Sequence, residues 1–276
     1  LESEGGPITF VLTAHPTEAR SSENIEIFHR IQNILTEILQ TQSSVRSQLD
    51  LVAKLRYSLA LAWKTPIVRE VSPTVADEAR HIVSLLLRDE IVFSFLESFR
   101  LKAPIYIRNW AGGDKDGHPG VDQNVMLQSL QIARDAFLGV WRFALEKLEN
   151  DISLTRDKKI SSLSNLKKSL VGLESLRSGD GGRIKAFQAE FHKLVKELKK
   201  EFHSTTREID SLARLLHVFP ALVIPLELRE SSDVLAQNSK RLPIDKMLEG
   251  IKKVAQGGSP TWYAKIFIVS MTESFQ

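Results

Sequence analysis

Four times along this chain an apolar run of strand length ends abruptly in a polar loop, and helix separates each run from the next. The runs are Ile8 to Leu12, Ile105 to Ile107, Ala221 to Leu228 and Ile266 to Val269. Strands reached only through helices lie parallel, because a parallel pair needs a long crossover connection. The pattern predicts an α/β fold with buried parallel strands, either an open sheet or half of an eight-stranded barrel. In both architectures chemistry gathers in the loops at the carboxyl ends of the strands. Helix dominates the remainder, since only about four strands are readable in the chain, below the usual strand share.

The helical stretches carry their own punctuation. Ile27, Ile31, Ile34, Leu35, Ile38 and Leu39 recur at three- and four-residue spacing and predict an amphipathic helix over 23–40. A second apolar helix spans Leu51 to Trp63. Ser72–Pro73 announces a third, with Ser as N-cap, Pro at the first helical position and Asp77–Glu78 near the positive end of the dipole, running to about Arg100. Asp122 caps a long helix to about Asn150. Residues 156–217 read as helical and Lys-rich, broken at Ser178–Gly182 (SGDGG) by a flexible connection. A last helix, 245–255, ends at Gly257–Gly258. The basic run Lys193 to Lys200 has Leu194, Val195 and Leu198 on one side, the pattern of a solvated helix face rather than a nucleic-acid patch.

Three strand-end loops hold the candidate chemistry. After Leu12 come Thr13, His15, Pro16, Thr17, Glu18 and Arg20. Pro16 keeps His15 out of helical geometry, so the imidazole sits in extended backbone at the strand's end. After Ile107 comes a loop with Gly112, Gly113, Asp114, Lys115, Asp116, Gly117, His118 and Gly120. Its glycines allow close backbone approach, Lys115 offers a point charge to a phosphate or carboxylate, and Asp114 and Asp116 orient it or each other. It is not a P-loop, since no Lys-Ser/Thr follows, nor an EF-hand loop, since no Glu stands at the twelfth position from Asp114. Arg229 ends the third run between Glu227 and Glu230, a guanidinium held by carboxylates and aimed at an anion. Thr272 and Glu273 end the fourth run and are weaker candidates. Each loop also has a plain structural reading: a His–Pro turn, a tight glycine turn, an internal ion pair. Together they offer a histidine placed for proton transfer, at least three cations (Arg20, Lys115, Arg229) and several hydroxyls, a set suited to a small polyanion.

Composition narrows the field. The chain has no cysteine, which excludes disulfides, thiolate metal sites and thiol nucleophiles. Net charge is +3, too diffuse for a nucleic-acid partner, and aromatic residues do not interleave with a basic stripe. No apolar run approaches the roughly 20 residues of a membrane span and no signal peptide opens the chain, so a cytoplasmic protein without membrane contact is the expectation. The chain opens on Leu1 and stops at Gln276 directly after a strand-like run, which suggests part of a longer polypeptide.

The loops also resemble a known family. TAHPTE at 13–18, followed by Arg20, resembles the signature loop of phosphoenolpyruvate carboxylase, and GGDKDGHPGV at 112–121 is similar to that family's GGDRDGNPxV loop. In the family's order, SPTVADEAR at 72–80 resembles the segment ahead of the second loop, LELRES at 226–231 its DIRQES strand end, and IVSMTES at 268–274 its ISM strand end. The compact spacing is closer to the short archaeal-type enzyme. Departures are His118 for Asn, Lys115 for Arg, a single Arg20 where the long form has two, and Glu227 and Glu230 for Asp and Gln.

The resemblance implies a helix-rich (β/α)8 TIM-type barrel, with residues 1–276 as one domain that supplies about the first four strands. It implies carboxylation of phosphoenolpyruvate by bicarbonate to oxaloacetate and inorganic phosphate, through carboxyphosphate and the pyruvate enolate. His15, Lys115 and Arg229 are then the catalytic residues, and Thr13, Arg20, Gly112, Gly113, Asp114 and Asp116 bind substrate. Mg2+ or Mn2+ is the implied cofactor, with its acidic ligands in the second half of the barrel and none in this chain. A homo-oligomer, a tetramer, is implied as well. Rival readings are another enolate- or phosphate-handling barrel enzyme, such as an aldolase or phosphotransferase, and a non-catalytic half-barrel whose function is association.

Overall fold

The computed structural model describes residues 8–13, 21–40, 45–67, 71–88, 91–92, 105–116, 118, 120–154, 160–237 and 242–272. Among these, β1 (Ile8–Leu12), β2 (Ile105–Asn109), β3 (Leu226–Ser231) and β4 (Ala264–Ser270) form one all-parallel sheet in chain order. Helices α1 (Ser22–Gln40), α2 (Val45–Lys64) and α3 (Val75–Leu86) lie between β1 and β2. Helices α4 (Gln123–Ser153), α5 (Ser161–Val171), α6 (Asp180–Phe202) and α7 (Arg207–Val218) lie between β2 and β3. The one-turn α8 (Ser232–Leu235) and α9 (Pro243–Val254) lead to β4. Parallel strands in unbroken chain order are compatible with a barrel segment, because a doubly wound sheet reverses its order at a switch point.

The strand positions match the apolar runs, with two corrections. The third strand begins at Leu226, not Ala221. Pro220 and Pro225 lack an N–H, and Leu222 takes a left-handed φ of 51° in a buried turn closed on the Phe219 carbonyl, so 221–225 is not strand. The outer strands are also less buried than expected. β1 and β4 are the edges of the sheet, and Ile8, Phe10, Ile266 and Val269 remain exposed.

Two helix boundaries differ as well. α3 is capped by Thr74, not Ser72: the Asp77 N–H donates to the Thr74 hydroxyl and the Thr74 N–H donates to the Asp77 carboxylate, a capping box. It ends at Leu86 rather than near Arg100; residues 93–104 lie outside the described set. Asp122 caps α4 as read, accepting from the N–H groups of Asn124 and Val125.

SGDGG is not a flexible connection. Gly179 takes a positive φ and opens α6. Its N–H donates to the Lys253 carbonyl, and that of Gly182 to the Gln256 carbonyl. A Cβ on Gly181 would stand 2.3 Å from the Ala255 oxygen. Two glycine pairs, Gly181–Gly182 and Gly257–Gly258, let two backbones cross in contact.

Beside that crossing lies a buried ion pair. Arg134 of α4 and Asp180, both inaccessible to solvent, pair in two-pronged fashion at 2.7 and 3.3 Å. Arg134 also donates to the carbonyls of Ala221 and Leu173, while Tyr263 and Arg183 donate to the Asp180 carboxylate. Burial first, and then the Asp180 charge, push the Tyr263 phenol far above its ordinary value, so it remains a donor. Between the same two helices, Trp141 of α4 meets Phe187 and Phe191 of α6 edge-on at 4.8 and 4.9 Å. Removing one partner of such a pair leaves a buried charge uncompensated, so Asp180→Ala is expected to cost about 3–5 kcal/mol in urea denaturation. A loss under about 1 kcal/mol would show that the pair does not hold α4 to α6.

Candidate active site

The chain leaves β2 in a turn built from its own residues. The Asn109 carboxamide oxygen accepts from the Ala111 N–H (2.8 Å), and the N–H groups of Gly113 and Asp114 both donate to the Trp110 carbonyl. Gly112 sits at φ 88°, where a Cβ would come 2.7 Å from the Ser129 Cβ of α4. The chain then returns to the sheet. The Arg229 N–H donates to the Gly113 carbonyl (2.9 Å) and the Lys115 N–H donates to the Arg229 carbonyl (3.0 Å), which pairs Asp114 with Arg229 as a parallel bridge. Direct pairing of β2 with β3 is confined to Asn109 and Leu226, so the loop takes the place β2 vacates.

This arrangement sets the side chains. Asp116 accepts from the Ser270 hydroxyl at the end of β4 (2.6 Å), and its carboxylate lies 3.5 Å from Arg229 Nε. The Arg229 guanidinium stands over the Trp110 ring, 5.2 Å from the centroid. Its Nε is buried and has no hydrogen-bond partner among the described residues. Trp110 Nε1 donates to Glu227 (3.0 Å), and Arg108 donates to the other oxygen of the same carboxylate (2.7 Å). Glu227 therefore serves Arg108 and Trp110, not Arg229. Glu230 also departs from the expectation: side chains alternate along a strand, so it lies on the opposite face from Arg229, and one of its oxygens accepts from the Ser231 N–H. The carboxylate that faces Arg229 comes from the glycine loop.

Among the residues singled out from sequence, the structure brings Asp114, Lys115 and Asp116 to the carboxyl end of β3 beside Arg229. Gly112 and Gly113 are buried, and each is tied to packing: Gly112 against α4, and Gly113 against β3. Thr13 is exposed directly after β1, and the Leu12 carbonyl accepts from the Trp110 N–H, so the loop after β1 begins next to the loop after β2. His15, Arg20 and Glu273 lie outside the described residues. Arg108, Trp110 and Ser270 were not singled out. The signal for Trp110 was a polar-tipped aromatic one residue past a strand. Among the described residues no group of three or more His, Asp or Glu side chains is placed to hold a metal ion, and no helix is long and apolar enough to cross a membrane.

The sequence profile of the phosphoenolpyruvate carboxylase family matches residues 5–219. The chain belongs to that family. It is 28% identical over 162 residues to the phosphoenolpyruvate carboxylase of Acinetobacter baumannii, covering 53% of this chain and 18% of that protein. It is 27% identical over 211 residues to that of Pseudomonas syringae pv. tomato (70% and 22%) and 32% identical over 166 residues to that of Synechocystis sp. (51% and 16%). The matches span about a fifth of the length of these carboxylases.

One departure from the carboxylase loop pattern has a physical explanation. His118, the residue that departs from the loop pattern the sequence resembles, accepts at Nδ1 from the Gly120 N–H (3.2 Å). A short acceptor two residues before a backbone N–H is what an Asn side chain supplies in a turn. His118 thus holds the turn, with its proton on Nε2.

The loop's insertion makes a sharp prediction. A Cβ on Gly113 would lie 2.2 Å from the Glu227 carbonyl oxygen. Gly113→Ala has to part the loop from β3 and is expected to cost roughly 2–3 kcal/mol, with faster amide hydrogen exchange at Lys115 and Arg229. Unchanged exchange at those two amides would mean that the loop is not anchored this way.

Proposed function

We propose that the polypeptide carrying this chain is a cytoplasmic, homo-oligomeric enzyme that carboxylates phosphoenolpyruvate with bicarbonate, giving oxaloacetate and inorganic phosphate. In this reading the chain supplies the first four strands of a (β/α)8 barrel, and the exposed apolar residues of β1 and β4 meet further strands. The observation that carries the reading is Arg229: a guanidinium at the carboxyl end of a parallel sheet, braced on an indole, whose buried Nε makes no hydrogen bond among the described residues although the Asp116 carboxylate lies 3.5 Å away. Buried donors are nearly always hydrogen-bonded, so a guanidinium N–H that makes no hydrogen bond beside a lysine-bearing loop favours an anion as a further partner.

In the first step a bicarbonate oxygen attacks phosphorus and the bond from phosphorus to the enol oxygen breaks, leaving carboxyphosphate and the enolate of pyruvate. Arg229 and Lys115 hold the phosphate and carboxylate groups and stabilise charge that spreads onto the transferring oxygens. His15 then accepts the carboxyphosphate proton, CO2 and phosphate separate, and the enolate carbon captures CO2. Arg20 and Thr13 support the loop or the anion. The divalent cation implied by the family finds no donor set among the described residues, and no step here is routed through it.

Two substitutions in the whole polypeptide test the assignment, with oxaloacetate and phosphate measured separately. Arg229→Ala is expected to lower kcat/KM for phosphoenolpyruvate roughly ten- to a hundredfold, the size of a lost charge-assisted hydrogen bond. His15→Asn is expected to retain bicarbonate-dependent phosphate release and to lose oxaloacetate. Turnover of phosphoenolpyruvate without bicarbonate would instead favour another enolate-handling enzyme, and no turnover at all a non-catalytic role.

A further inference from the structure

Glu227 shares the Arg229 face of β3 and Asp116 comes to it from the glycine loop, and both carboxylates are engaged with other groups. Glu227 lies two residues before Arg229 on the same face of β3, and its side chain is 5% exposed. A free carboxylate there would be the natural counter-ion of Arg229. It is occupied instead: Arg108 of β2 holds one oxygen at 2.7 Å and the Trp110 indole N–H holds the other at 3.0 Å. The indole that donates this bond is the ring over which the Arg229 guanidinium stands. Asp116, from the glycine loop, is shared with the Ser270 hydroxyl and lies 3.5 Å from Arg229 Nε.

We infer that Arg108, Glu227 and Trp110 form a positioning relay that aims Arg229 and keeps its charge for the ligand. The relay has two separable effects. The bond from Trp110 Nε1 to Glu227 fixes the indole plane, and the plane fixes the guanidinium through the cation–π contact. The ion pair with Arg108 neutralises Glu227, so the nearest carboxylate on the strand does not compete with an incoming phosphate or carboxylate. Both partners come from β2 and the residue after it, which makes the aim of Arg229 depend on the register between β2 and β3 rather than on its own strand.

This inference rests on the reading of Arg229 as an anion-binding residue, and it is tested on the whole polypeptide by steady-state kinetics and by calorimetric binding of inorganic phosphate. In Glu227→Gln the two facing donors meet one oxygen and one NH2 group, so one bond is lost. In Trp110→Phe the ring face stays and the N–H goes. Each is expected to raise KM for phosphoenolpyruvate and weaken phosphate binding by roughly three- to thirtyfold, the range spanned by a partly desolvated cation–π contact, with a smaller change in kcat. The double variant is expected to be no worse than the poorer single one, because both cut the same bond. Arg108→Gln frees Glu227 to pair with Arg229 and is expected to weaken phosphate binding, with Arg108→Lys restoring it. Multiplying effects in the double variant, or equal losses in kcat and KM with unchanged phosphate binding, would overturn the relay. A wild-type polypeptide that binds phosphate but forms no oxaloacetate would sink the carboxylase reading and leave the relay standing.

Discussion

The site depends on one backbone contact, that of Gly113 with β3. β2 and β3 are neighbours in the sheet, yet they pair directly only at Asn109 and Leu226. Beyond that point Gly113 and Lys115 supply the ladder bonds to Arg229. Only a residue without a Cβ can come so close to the Glu227 carbonyl. The glycine loop is therefore part of the sheet rather than a surface turn. Its charged residues inherit the rigidity of a strand, the condition under which a site holds its geometry.

That rigidity is passed outward through two elements. α4 begins just past the loop, touches Gly112 through Ser129, and is fixed farther along by Arg134 in the buried pair with Asp180. β4 is tied at both ends. Tyr263, directly before it, donates to Asp180, and Ser270, its last residue, donates to Asp116. These two ties are roughly 23 Å apart along the strand at about 3.3 Å per residue. The buried ion pair thus sits at the far end of the same strand that orients the loop's carboxylate.

What the sequence disclosed follows from how local each signal is. Strand positions and the Asp122 cap depend on neighbours within a few residues, and they were readable. The SGDGG misreading shows the limit: glycine marks either freedom or close approach, and only the facing Gly257–Gly258, some 75 residues on, decides which. The exposure of Ile8 and Phe10 was equally hidden, since an apolar strand reads the same at an edge as in the middle. At the site, the reading that held Arg229 between Glu227 and Glu230 overlooked period-two alternation, which puts Glu230 on the face away from Arg229. The pairing of Glu227 with Arg108 bridges 119 positions and needed the register of two strands.

The departures from the carboxylase pattern become coherent on this footing. His118 presents an acceptor at Nδ1 to the Gly120 N–H, the kind of bond that an Asn side-chain oxygen makes in a turn. Glu227 in place of Asp lengthens the carboxylate's stem by one methylene, and that carboxylate has to span from β3 to both Arg108 and the indole of Trp110. Charge at Arg229 is governed by the same geometry. A guanidinium fully paired within the protein would bind no anion, and one left bare in a half-buried setting would carry the desolvation cost alone. Arg229 stands between these extremes, over an aromatic face and with one carboxylate, shared with Ser270, at 3.5 Å.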